Sequence, residues 1–142
     1  DNKFYLNEQG LESVKLSRSD GLAFNKLNSL KKNIIILSSE KNHVVYMRSK
    51  KLKVKAIYGV KNKDIALTEY CYQNKLDLKN VFYVGNDIND LKAMILCGYS
   101  ACPKDSHNRI KRISKYILKS NGGDGVIREI TENLFKLDLS NI

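Results

Sequence analysis

The sequence predicts an α/β fold: a parallel sheet with helices on both faces, preceded by a β-hairpin. Three observations carry that expectation. Short apolar runs alternate with amphipathic segments along most of the chain, as they do when each strand is followed by a covering helix. The runs "NIIILS" (33–38), "VKAIYG" (54–59) and "NVFYVG" (80–85) are strand-length and mostly apolar, as strands covered on both faces are. The 142 residues are 42% hydrophobic and 28% charged, which suits a single domain over 1–142 and excludes a disordered or fibrous chain.

In chain order, "KFYLNEQGLESVKLS" has two semi-alternating runs around Gln9-Gly10 and reads as a hairpin over about 3–18. Asp20 is placed to N-cap a helix with Leu22, Ala23, Leu27 and Leu30 on one face. After the 33–38 strand a helix is expected over about 41–52. After the 54–59 strand comes a helix over about 62–75, with Leu67 and Cys71 at i, i+4. The 80–85 strand precedes a helix from about Ile88 to Cys97. A short strand near Tyr99–Cys102, a small helix near 106–112 and a strand in "KYILK" (115–119) follow. Beyond the "SNGGDG" turn, Ile127, Ile130, Leu134 and Leu137 space a last helix. Gly122, Gly123 and Gly125 fit a turn that needs positive φ or close backbone approach.

Composition narrows the function. No apolar run approaches a membrane span and no signal-peptide pattern is present, so a cytoplasmic protein is expected. Cys71, Cys97 and Cys102 are odd in number and lack C-x-x-C spacing, so they read as buried reduced thiols. His43 and His107 have no partner at i+4 and receive no chemistry. The net charge of +10 comes from lysines spread along the chain; only "RSKKLKVK", Arg48 to Lys55, is a cluster. Without an aromatic stacking pattern or a known binding motif, no nucleic-acid partner is expected.

In open α/β sheets ligands bind beyond the carboxyl ends of the strands. There the first inner strand ends in Ser38, Ser39 and Glu40, the second leads to Lys61, Asn62 and Lys63, and the third ends in Asn86, Asp87 and Asp90. A hydroxyl, an ammonium and oxygen ligands converging on one edge fit phosphoryl chemistry. The hydroxyl and helix-start amides hold phosphate oxygens. The lysine offsets transition-state charge, and the carboxylates suit Mg²⁺, a hard cation that prefers oxygen. Helix capping is the competing reading for Asp87 and Asp90.

These segments resemble, in order and spacing, motifs of the haloacid dehalogenase-like phosphatases: "IILSSE" their Ser/Thr motif, "GVKNK" their lysine motif and "YVGNDINDLKAM" their fourth motif. "DNKFYLNEQG…SRSDG" and "GGDGVIREI" resemble the capless branch acting on 3-deoxy-ulosonic sugar-acid phosphates, above all the version associated with, or fused to, acylneuraminate cytidylyltransferases. The resemblance implies a Rossmann-like haloacid dehalogenase fold without a separate cap domain. It implies Mg²⁺-dependent hydrolysis of an octulosonate 8-phosphate or nonulosonate 9-phosphate through an aspartyl-phosphate. Asp1 matches the last residue of the nucleophile motif, so both catalytic aspartates are expected upstream of it, and the sheet is expected to be interrupted in the middle. Ser38, with Ser39, matches the phosphate-binding hydroxyl and Lys63 the lysine bridging phosphate and nucleophile. Asn86 stands where the family has a metal-binding aspartate, with Asp87 and Asp90 as further metal ligands. Glu40, Arg48 and Lys51 match positions facing the sugar acid, and their spacing lets them share a helix face. Arg128 and Glu129 match an Arg-Glu pair after the glycine-rich turn. A homotetramer with each hairpin lidding a neighbour's site is implied too. The alternative is a non-catalytic oligomerisation domain of, or partner to, a cytidylyltransferase.

Overall fold

The computed structural model describes residues 3–140; Asp1, matched above to the nucleophile motif, lies outside them. Two short strands, β1 (Tyr5–Leu6) and β2 (Glu12–Ser13), pair antiparallel as the expected hairpin. Asn7 closes its turn, its Oδ1 accepting the amides of Gln9 and Leu11. Helix α1 (Ser19–Ser29) follows, then β3 (Ile35–Leu37), α2 (Val44–Leu52), β4 (Lys55–Ile57) and α3 (Lys63–Gln73). Next come β5 (Phe82–Val84), a 3₁₀ turn at Ile88–Asp90, α4 (Leu91–Leu96), β6 (Tyr99–Cys102), α5 (Asn108–Ile113), β7 (Tyr116–Ile117) and α6 (Val126–Glu129). Among the described residues no helix is long and apolar enough to cross a membrane.

Strands β3 and β4 form one parallel ladder, and β5, β6 and β7 form another in that order. Among the described residues the two ladders are not paired with each other. Side chains alternate across the second ladder. Tyr83 and Cys102 join a buried cluster with Leu67, Cys71, Ala93, Met94 and Ile110 from α3, α4 and α5. Phe82, Val84 and Ala101 face a second cluster with Leu118, Val126 and Ile130. The sheet is therefore covered on both faces, which is why its strands read as continuous apolar runs. Ile35, Leu37 and Ile57 from the first ladder pack against the first cluster, so the core spans both.

Three expectations change. Asp20 does not cap its own helix: it lies in the first turn of α1, buried, and its Oδ1 accepts the amides of Ile127 at 2.9 Å and Arg128 at 3.1 Å. It therefore caps α6, more than a hundred residues away, where Gly125 supplies no side chain. The last helix is short. After α6 the backbone widens into a π turn at Ile130–Leu134, and Leu137 lies beyond it. The Thr131 hydroxyl donates to the Ile127 carbonyl at 2.8 Å, a back-bond that competes with regular helix geometry. In the glycine turn, Gly123 and Gly125 take positive φ, whereas Gly122 is buried with its amide donated to Asp105 Oδ1 at 2.7 Å. The three cysteines are free; Cys71 and Cys102 are buried as expected, whereas Cys97 is half-buried, and burial, with Cys71 nearby, pushes its thiol up to about 11.

Replacing Asp20 with Ala leaves two amides of α6 without their acceptor. The variant should lose about 1–2 kcal/mol of stability, read as a lower urea midpoint at unchanged slope, with Asp20→Asn recovering part of it.

Candidate active site

The site is built at the carboxyl ends of β3, β4 and β5. Lys63 opens α3 and is buried, 9% exposed; its Nζ donates to Asp90 Oδ1 at 2.6 Å. Asp90 is 3% exposed and ends the 3₁₀ turn that follows β5. The Tyr83 hydroxyl, from the middle of β5, donates to the same oxygen at 2.9 Å. Asp90 Oδ2 accepts the amides of Asn86 at 2.9 Å and Asp87 at 3.2 Å. Asp87 and Asp90 form a capping box, each side chain accepting the other's backbone amide, and Asp87 Oδ1 also accepts the Ile88 amide at 2.7 Å. The chain can fold this tightly only because Gly85 lacks a Cβ, which would lie 2.7 Å from Asp90 Cβ and 2.8 Å from Met94 Sδ.

Two bonds bring the end of β3 to this turn and to the end of β4. Asn89 Nδ2 donates to Ser39 Oγ at 2.9 Å. The Val60 amide donates to the Ser38 carbonyl at 3.2 Å. Ser38 is half-buried, and its Oγ accepts the Glu40 amide at 3.2 Å, a bond that leaves the hydroxyl hydrogen unused. The three segments flagged in the sequence thus meet.

The expected roles need two corrections. A carboxylate offers about four acceptor directions, and the four donors Lys63, Tyr83, Asn86 and Asp87 fill them in Asp90. Asp90 is an inward-facing anchor for the lysine and the turn, not an outward ion ligand. Glu40 precedes α2 instead of lying on it, so it shares no helix face with Arg48 and Lys51. Its Oε1 accepts the amides of Lys41 and Asn42. Arg48 is half-buried and donates from Nη2 to the Ser17 carbonyl at 2.8 Å, while Lys51 is exposed on α2. With Asn42 Nδ2 donating to Glu12 Oε2 at 3.2 Å, Arg48 tethers the hairpin beside the rim.

Asn86 and Asp87 carry hard oxygen atoms at this turn, and among the described residues no group of three or more His, Cys, Asp or Glu side chains could hold a metal. Their chemistry fits part of a Mg²⁺ shell, since that ion keeps several waters and takes only one or two protein carboxylates. Beside them the His107 amide donates to the Asn86 carbonyl at 3.0 Å, and its Nδ1 caps α5 by accepting the Arg109 amide.

Sequence reasoning missed Tyr83 and Asn89. Tyr83 was legible only as a phenol inside an apolar strand, a group that needs a partner when buried. At the far rim Arg128 pairs with Glu132 at 3.2 Å. Glu129 receives the amides of Lys119 and Ser120 at 2.8 Å each, together with the Ser120 hydroxyl.

Comparison with known proteins identifies the family. The profile of haloacid dehalogenase-like hydrolases matches residues 5–130. The chain is 27% identical over 135 residues to the 3-deoxy-D-manno-octulosonate 8-phosphate phosphatase of Escherichia coli, covering 94% of this chain and 72% of that protein. It is 24% identical over 139 residues to N-acylneuraminate cytidylyltransferase A of Danio rerio, covering 96% of this chain but only 32% of that protein. The chain thus spans about a third of the cytidylyltransferase. Among solved structures, the Moraxella catarrhalis octulosonate phosphatase, in complex with a magnesium ion, a phosphate ion and the sugar acid, superposes with a TM-score of 0.89 at 27% identity, covering 94% of this chain and 78% of that one.

The Glu129 carboxylate gives a pH signature. Burial pushes it up, but the bonds from Lys119 and Ser120 outweigh burial and hold it below its ordinary 4.5. A carboxylate lowered in the folded state adds stability above its unfolded pKa and loses it as pH falls through the folded value. Glu129→Gln should therefore be less stable than the parent at neutral pH, and the gap should close as pH falls through the depressed folded-state value. Urea titrations across that range measure it.

Proposed function

Because the chain belongs to the haloacid dehalogenase-like hydrolases, we propose that it is a phosphatase of a phosphorylated 3-deoxy-ulosonic sugar acid, a nonulosonate 9-phosphate or an octulosonate 8-phosphate. The observation that carries the reading is the buried Lys63–Asp90 pair at the strand ends, bonded across the rim to the Ser38–Ser39 turn through Asn89. The likeness to the octulosonate phosphatase of Escherichia coli supports the substrate class.

The proposed nucleophile is an aspartate on a segment preceding Asp1. Its carboxylate oxygen attacks phosphorus while the bond to the sugar oxygen breaks. A second aspartate two residues on protonates that oxygen and then takes a proton from the water that hydrolyses the aspartyl-phosphate. Lys63 places positive charge beside the phosphoryl oxygens and nucleophile, where charge gathers in the transition state. The Ser38 hydroxyl donates to a phosphoryl oxygen, and the turn at Ser39 supports it. Asn86 and Asp87 would hold Mg²⁺, which when bound offsets phosphoryl charge and orients the leaving group.

Lys51 supplies an exposed cation for the substrate carboxylate, and Glu40 and Arg48 shape the mouth it enters by. An uncapped site of this kind needs cover. Phe4, Leu6, Val14 and Leu16 of the hairpin are exposed by 53%, 61%, 39% and 46%, apolar surface suited to a neighbouring subunit of a homotetramer. A second reading, a module within or beside a cytidylyltransferase, draws on the Danio rerio match. It dispenses with turnover, so phosphate release separates the two.

The intact protein should release phosphate from such sugar-acid phosphates in a metal-dependent way. Lys63→Ala should lower kcat by about a hundredfold or more, and chelator should abolish turnover. Undiminished phosphate release in either condition removes the mechanism. Light scattering tests the tetramer, which Phe4→Asp with Leu6→Asp should break into smaller species.

A further inference from the structure

The mechanism above uses Lys63 but leaves open what keeps its ammonium in place. A lysine has three N–H donors on a flexible stem and accepts many geometries. Here it has one buried partner oxygen, Asp90 Oδ1, and that oxygen has a second donor, the hydroxyl of Tyr83. We propose that Tyr83 is a positioning residue for Lys63: its phenol fills one of the two acceptor directions of Asp90 Oδ1 and confines the ammonium to the other.

The argument rests on counting donors against acceptor directions. The Asn86 and Asp87 amides occupy Oδ2, so the carboxylate cannot turn without breaking backbone bonds. Lys63 and Tyr83 then divide Oδ1 between them. Tyr83 is well fixed for this task. Its ring is 7% exposed among Leu67, Cys71, Ala93 and Met94, and its backbone is paired in the β5–β6 ladder. Burial, then the charge and hydrogen bond of Asp90, push the phenol far above its ordinary range, so it remains a neutral donor. Removing the hydroxyl vacates one direction on Oδ1. The ammonium then has two resting places on one oxygen, and its remaining N–H groups no longer point in one direction. Small misplacements of a charge-stabilising group are costly to rate.

A control sits in the same core cluster. Tyr70 is also buried, and its hydroxyl donates to Asn33 Oδ1 at 2.8 Å, away from Asp90. Tyr70→Phe therefore removes a comparable phenol bond without touching the lysine.

The experiment compares the intact protein with Tyr83→Phe, Tyr70→Phe and Asp90→Asn at a temperature where all are folded. Two readouts are taken: hydrogen exchange of the Lys63 ammonium by lysine side-chain NMR, and kcat and KM per folded site. Tyr83→Phe should speed ammonium exchange and lower kcat, each by about tenfold, with KM changed far less. Tyr70→Phe should match the parent in both, and Asp90→Asn should abolish the protected ammonium signal. Ammonium exchange in Tyr83→Phe equal to the parent's overturns the proposal, as does altered exchange with unaltered kcat. The kinetic arm rests on the phosphatase reading and the NMR arm does not. A parent protein that hydrolyses no sugar-acid phosphate sinks that reading, and ammonium exchange still decides the role of Tyr83.

Discussion

The buried contact between Lys63 and Asp90 is the interaction on which the rest of the site depends. Moving an ammonium and a carboxylate out of water costs several kcal/mol per ion, and attraction alone does not reliably offset it. The offset here comes from completeness. Both Asp90 oxygens are fully engaged, two of the four donors being backbone amides fixed by the 3₁₀ turn. The pair is affordable only where the chain bends sharply enough to bring those amides round, and that bend requires the missing Cβ of Gly85. Glycine, capping box and lysine are one device spread over two elements.

The surrounding scaffold uses the same tactic at longer range. Asp20 caps α6, Arg48 holds the Ser17 carbonyl, and Glu129 gathers the amides at Lys119 and Ser120. Each is a charged side chain spent on backbone groups of another segment, so each satisfies donors or acceptors that a loop would otherwise leave to water. Together they hold the hairpin, the α2 rim and the glycine turn around the strand ends. Arg48, which read as a substrate contact in the sequence, thus has a structural partner as well.

This explains which parts of the fold were legible in the sequence. The strands were, because burial on both faces leaves an uninterrupted apolar signature in Ile35–Leu37 and Phe82–Val84. The meeting of Ser38, Lys63 and the Asn86–Asp90 turn was legible too, because strand ends in a wound sheet share one edge. Helix ends were harder. Lys31, Lys53, Lys75 and Lys136 take positive φ just past helices or the π turn, where glycine is the usual signal. Each lysine costs roughly 1 kcal/mol in that conformation and offsets part of it by placing a cation at a helix C-terminus. The partners of Asp20 and Asp90 were hidden for a different reason. A carboxylate at a helix start looks the same whether it caps its own helix, a distant one, or an ion, and only the fold says which amides come near.

A consequence concerns how stability and activity are tied. Among the described residues the two ladders, β3–β4 and β5–β6–β7, are not paired with each other, and side chains connect them. Part of that connection is the shared core, with Ile35, Leu37 and Ile57 packed on the cluster around Tyr83. The site adds to it, with Lys63 to Asp90 and Asn89 to Ser39 each crossing from one ladder's loops to the other's. Truncating Asp90 would strand a buried ammonium and release the Tyr83 hydroxyl and the two turn amides that it holds, whereas replacing Lys63 with a similar-sized apolar side chain would leave the Asp90 carboxylate without its counter-charge but still bonded to Tyr83 and to those amides. The two substitutions damage the same chemistry but not the same architecture. That asymmetry is what a site doubling as a structural joint must produce.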